Sequence, residues 1–127
     1  MQPTLLLQPE GSSLCGQVCV AIAAGVSLDR AIEAVGHSKK RGTTTAEVVA
    51  ALRALGLPCA DRMKPVGRAK PVLPKRALLC IRRLEGNKRS RLWHWMLTWD
   101  GTVYDPGGRW PDGYPGFRIT SYLSITD

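Results

Sequence analysis

Residues 92–108 read LWHWMLTWDGTVYDPGG. Two apolar runs of strand length flank Asp100-Gly101, a dipeptide that suits a two-residue hairpin turn because both of its positions tolerate positive φ. Such a turn sets Trp99 opposite Thr102, Met96 opposite Asp105 and His94 opposite Gly107. Side chains alternate along a strand, so His94, Met96 and Asp105 share one face, and Asp105 becomes a diagonal neighbour of His94. Trp93, Trp95, Leu97 and Trp99 fall on the other face, which leaves the imidazole on the less apolar side of the sheet. Turn register alone thus predicts a carboxylate beside a histidine.

The neighbouring segments extend this sheet. ALLCIRRL (77–84) has the length of a buried strand, GNKRSR (86–91) reads as a polar turn, and FRITSYLSI (117–125) alternates like one more strand. Three prolines in DRMKPVGRAKPVLPKR (61–76) argue against any regular element there. The first half of the chain has a different period. SSLCGQVCVAIAAG (12–25) spaces its apolar residues by three and four, with Ser12 or Ser13 as the expected cap and Gly25 at the end. SLDRAIEAVG (27–36) repeats the pattern between Ser27 and Gly36, and TTTAEVVAALRALG (43–56) carries Thr44 and Glu47 at capping-box spacing before Gly56. Helices followed by strands predict an α+β domain, with an N-terminal helical layer on a C-terminal antiparallel sheet.

Composition agrees with one such domain over residues 1–127. The chain is 44% apolar and 22% charged, which suits a single core and excludes general disorder. No apolar run approaches the roughly 20 residues that span a bilayer, so no membrane partner is expected. MQPTLLLQPEG at the start has three leucines and no preceding basic residue, unlike a secretory signal, so a reducing cytoplasm and free thiols at Cys15, Cys19, Cys59 and Cys80 are expected. The net charge of +8 is concentrated: residues 62–91 hold eleven Lys or Arg against Glu85 alone.

Cys15 falls in the first turn of the first helix, next to Gly16, where the helix amides and macrodipole favour a thiolate. A nucleophile is activated in this way, although most free cysteines are small buried hydrophobes. Cys19, one turn on, suits the core, as do Cys59 and Cys80. His37 lies in the basic loop HSKKRG and reads as a solvated or capping group.

Gln8, Cys15-Gly16, the run GTTTAEVVAALRALGL and then WHWMLTWDGTVYDPGG together resemble the papain-like cysteine peptidases. The similarity lies nearest the compact branch that processes bacteriocins by cutting leader peptides after a double glycine, and it covers about residues 5 to 108. It implies a papain-like fold and a cofactor-free cysteine peptidase acting on a peptide or isopeptide bond, from a bacterium or a phage. It further implies Cys15 as nucleophile, His94 as general base and acid, Asp105 as the group orienting the imidazole, and Gln8 as a side-chain donor to the oxyanion.

Two readings from other classes compete. Zinc binding is disfavoured because the Cys and His positions are scattered and no C-x-x-C occurs. A basic module binding nucleic acid or an acidic protein would use the charged segment with its nearby tryptophan, and Arg82, Arg83, Lys88, Arg89 and Trp93 are the residues expected to meet such a partner or an acidic substrate. Against nucleic acid, prolines break the segment and it carries no named motif. A non-peptidase thiol acyltransferase or amidase on the same fold is a third reading.

Overall fold

The computed structural model describes residues 3–7, 14–36, 43–66, 72–85, 88–106 and 117–126, with the side chains of 82–85, 88–93 and 117–118 left aside. Three helices, α1 (Cys15–Ala24), α2 (Leu28–Val35) and α3 (Thr45–Ala54), precede five strands, β1 (Lys64–Pro65), β2 (Arg76–Glu85), β3 (Lys88–Trp99), β4 (Thr102–Tyr104) and β5 (Phe117–Ser124). All strand pairs are antiparallel, in the order β1-β5-β2-β3-β4. The α+β expectation holds.

Local signals explain the helix ends. Ser27 accepts from the Arg30 amide at 3.1 Å, and Thr44 and Glu47 form the full capping box that their spacing predicts. Gly25 ends α1 in the left-handed region at φ 69°, a conformation that costs a residue with a Cβ. The expected serine cap of α1 is not what the structure shows. Leu14 occupies the cap position, without a side-chain hydrogen bond, and Ser12 and Ser13 lie outside the described residues.

The hairpin register is the one predicted: Trp99 pairs with Thr102, Thr98 with Val103 and Leu97 with Tyr104. Asp100 and Gly101 both take positive φ, 49° and 88°. Arg76 pins the turn from β2, reaching both Asp100 carboxylate oxygens at 3.2 Å while its guanidinium lies 4.2 Å from the centre of the Trp99 ring. Two other expectations need correction. The proline-rich stretch does contribute a strand, β1, where Lys64 pairs with Tyr122 and Pro65 with Ser121. Proline is tolerated there because β1 is an edge strand. The supposed turn over 86–91 is shorter, because residues 88–91 belong to β3, with Lys88 opposite Glu85 and Arg89 opposite Leu84.

α1 touches β3, α2 and α3, and nine of its residues, Cys15 to Ala23, are buried. Of these, Cys15 and the run from Val18 to Ala23 share one core with Ala31, Val48, Leu52, Leu78, Leu97, Trp99 and Leu123. The opposite face of the sheet is also apolar: Ala77, Leu79, Ile81 and Met96 form a second buried cluster, with Leu73, Ile119 and Tyr122 packed on it. His94 pairs with Ile81 in the same register as Leu79 with Met96, so it projects from the side with the smaller of the two clusters, the less apolar face that alternation predicts. Among the described residues, no helix is long and apolar enough to cross a membrane.

Removing the α3 cap gives a direct check on this account. Thr44→Ala should lower the unfolding free energy by about 1 kcal/mol in urea titration, because it orphans the Glu47 amide and removes the hydroxyl's own bond to the Glu47 carboxylate.

Candidate active site

Cys15 is the first residue of α1 and is 9% exposed. The first intrahelical bond runs from the Val18 amide to the Leu14 carbonyl, so the amides of the first turn have no partner within the helix. Such donors around a thiol suit a site that gathers negative charge.

His94 and Asp105 meet as the turn register predicts. Their Nε2 and Oδ1 atoms lie 2.6 Å apart, with the carboxylate side chain 2% exposed and the imidazole 17%. A bond that short between an imidazole and a buried carboxylate is charge-assisted. Burial acts against a charge on His94, but the hydrogen bonds to Asp105 and Cys15, with their negative charge, outweigh it and raise its pKa from 6.5 to about 9. With Nε2 engaged by Asp105, Nδ1 is the ring nitrogen left for Cys15. A thiol 79 residues before His94 and a carboxylate 11 residues after it are thus brought to one imidazole.

The local geometry explains how. β4 pairs with β3 only as far as Leu97, so at His94 that flank of β3 carries no β4 residue. A Cβ on Gly16 would lie 3.2 Å from Trp95 Cδ1 and 2.9 Å from Thr43 Cβ. His94 and Trp95 leave opposite faces of the strand, yet both meet the first turn of α1. The helix start therefore abuts the edge of β3, and glycine after the cysteine is what permits the approach.

None of the four thiols is in a disulfide, and Cys15 is the one placed at the imidazole. Cys19 is fully enclosed, and burial, followed by the nearby Cys15 and Asp105, pushes its pKa well up. Burial also raises Cys59. These observations agree with the core roles expected for both. Gln8 lies outside the described residues, as does His37. Arg82 and Trp93 pair with each other one step beyond Ile81 and His94, while Arg83 pairs with Phe117, Leu84 with Arg89 and Glu85 with Lys88. Their side chains are not among those described; by backbone position Arg82 and Trp93 adjoin the Ile81–His94 pair, whereas Lys88 and Arg89 stand six and five residues along β3 from His94. Pattern reading passed over Gln17, a fully buried amide two residues after Cys15. Its signal was an uncharged polar residue inside an otherwise apolar helix.

The raised His94 pKa has a sign that can be tested. Folding lifts it, so protonation of His94 stabilises the fold fully below about pH 6.5, and that contribution is lost as pH rises through about 9. Titration of the His94 ring by NMR should give a midpoint near 9 in the native protein. Asp105→Asn should bring that midpoint down and reduce the fall in thermal stability between pH 6.5 and 9.

No protein-family model matches this sequence, and no curated protein matches it. Among solved structures, the chain is similar to the peptidase domain of Streptococcus ComA, a bi-functional ABC transporter involved in a quorum-sensing pathway. The two agree with a TM-score of 0.64 at 17% identity, over 98% of this chain and 98% of that one. The α+β architecture and this likeness together give the chain the papain-like fold of that peptidase domain.

Proposed function

We propose that this protein is a cysteine peptidase in which Cys15, His94 and Asp105 form the catalytic triad. The observation that carries the reading is the His94 imidazole held between a buried carboxylate and the thiol at a helix start. The likeness in fold to a peptidase domain supports a peptide as substrate.

The chemistry follows from the arrangement of Cys15, His94 and Asp105, with the role of Gln8 taken from the family resemblance. The Cys15 thiolate attacks the scissile carbonyl carbon, and the oxyanion that forms is held by the Cys15 backbone N–H and by the amide of Gln8. The imidazolium gives its proton to the leaving amine as the C–N bond breaks, which leaves a thioester on Cys15. His94, now neutral, takes a proton from water as that water attacks the thioester, and the Cys15 thiolate leaves with the acid released. Asp105 keeps the ring oriented and stabilises its charge throughout. No step needs a metal or cofactor. The basic strands beside His94 favour an acidic peptide or protein, whose encounter would weaken as salt shortens the Debye length to about 8 Å at 0.15 M.

Labelling tests this without knowledge of the substrate. Iodoacetamide at pH 6 should modify Cys15 ahead of Cys19, Cys59 and Cys80, with the adduct located by peptide mass spectrometry, and His94→Ala should remove the preference. No native labelling, followed by equal labelling of all four thiols after unfolding, would overturn the reading.

Turnover carries two further expectations. Once a cleaved peptide is in hand, its hydrolysis should fall as pH rises through about 9, where the imidazolium is lost. Asp105→Asn should cost roughly 10²-fold or more in kcat, and Gln8→Ala about 10²-fold to 10³-fold.

A further inference from the structure

Gln17 is polar, fully buried, and one residue beyond the glycine that seats α1 against β3. Its Nε2 donates to the Gly36 carbonyl at 2.9 Å, and its Oε1 accepts from the Thr43 hydroxyl at 3.0 Å. Gly36 closes α2, and Thr43 immediately precedes the cap of α3. A single amide therefore fastens both ends of the α2–α3 connection to the helix that bears Cys15. The chain of contacts continues past Thr43. Its carbonyl accepts from Trp95 Nε1 at 3.3 Å, and Trp95 is the residue next to His94. The place where a Gly16 Cβ would stand is bounded by the same two residues, Thr43 and Trp95.

We infer that Gln17 is a positioning residue: through Thr43 and Trp95 it holds the Cys15 thiol in register with the His94 imidazole. The inference rests on the proposed Cys15–His94 pair and deepens it by naming what fixes their separation. Gln17 does not act on a substrate. Cys15 and Gln17 belong to one rigid helical turn, and His94 and Trp95 to one strand. The two rigid pieces are joined at Thr43, whose hydroxyl answers to the helix and whose carbonyl answers to the strand. Both ends of the Gln17 amide have partners, so its rotamer is fixed, and a fixed amide transmits position. Without it, the carbonyl of Gly36 and the hydroxyl of Thr43 lose buried partners and must shift to find others. A misplacement of about 1 Å between reacting groups is enough to cost about 10²-fold in rate.

The test uses the alkylation rate of Cys15 at pH 6, where an unpaired thiol is ionised to well under about 1% and its reactivity depends on the imidazolium. Gln17→Leu keeps approximate volume and removes both hydrogen bonds. It should slow alkylation of Cys15 by roughly 10-fold to 10²-fold and lower the NMR midpoint of His94, measured well below the melting temperature of the variant. Should Gln17→Leu fail to fold, Thr43→Val removes the hydroxyl at constant shape and should slow alkylation roughly 10-fold, whereas Thr43→Ser, which keeps hydroxyl and carbonyl, should restore a rate close to that of the parent protein. Loss of packing alone would have the opposite order, with Ser worse than Val. If Gln17→Leu and Thr43→Val alkylate at the parental rate with an unchanged His94 midpoint, while His94→Ala abolishes the preference for Cys15, the inference is overturned and the triad reading stands. If His94→Ala itself changes nothing, the triad reading fails first and takes this inference with it.

Discussion

The constraint on which the rest depends is the burial of α1. Its sequence, CGQVCVAIAA, has no charged residue and no polar face, and a helix that is apolar all round has to be enclosed. Here β3 encloses it together with α2 and α3. Enclosure of the whole helix forces its first turn, with Cys15, into the junction between the helical layer and the sheet. Gly16 then becomes a requirement of packing, since any larger side chain would run into Thr43 and Trp95. The thiol owes its place beside an imidazole to the hydrophobic effect as much as to any polar contact.

At that junction, two opposing electrostatic effects meet on His94. Desolvation disfavours a charge there, while a carboxylate at 2.6 Å and the thiol favour it, and the pair outweighs the burial. Asp105 is itself almost fully enclosed, so the attraction acts with little screening by solvent. A buried carboxylate is costly to leave unpaired, and its hydrogen bond to His94 meets part of that cost. The same bond fixes which ring nitrogen faces the cysteine.

The sequence made visible what is encoded locally. Helix limits follow from caps and glycines within a few residues, and the strand register around Asp100-Gly101 follows from the turn, so the pairing of His94 with Asp105 is legible in the sequence. Cys15 stood out through its position at a helix start, and its nearness to His94 came only from the family resemblance, because nothing local relates residues 79 apart. The rest was hidden for identifiable reasons. Residues 88–91 look like a turn by composition, but pairing with β2 overrides their polarity. Lys64–Pro65 is too short to have a period, and it becomes a strand through β5. At the entry to α1 the cap position falls on Leu14, which has no side chain able to cap it, so the local serine signal does not mark the helix start. Alternation along β3 and β4 ranks the two faces, but the cluster on the His94 side is filled mostly from β2, by Ala77, Leu79 and Ile81, which the hairpin alone does not place. Gln17 has partners 19 and 26 residues away, beyond any local pattern.

The position of β5 bears on how the domain is assembled. Last of the strands in sequence, it lies inside the sheet, between β1 and β2, and just after it Ile125 bridges to Cys59 while the Thr126 amide donates to the Pro58 carbonyl. During synthesis, β2, β3 and β4 can pair as soon as they emerge, since their contacts are sequential hairpins. β1, made earlier, must wait for some fifty further residues before β5, its strand partner, exists. Until then β2 offers an unsatisfied edge to whatever strand is nearby. The nascent chain is thus most exposed to wrong pairing in the interval between completion of β3 and arrival of β5, and a holding chaperone or rapid elongation over residues 100–125 would shorten its risk.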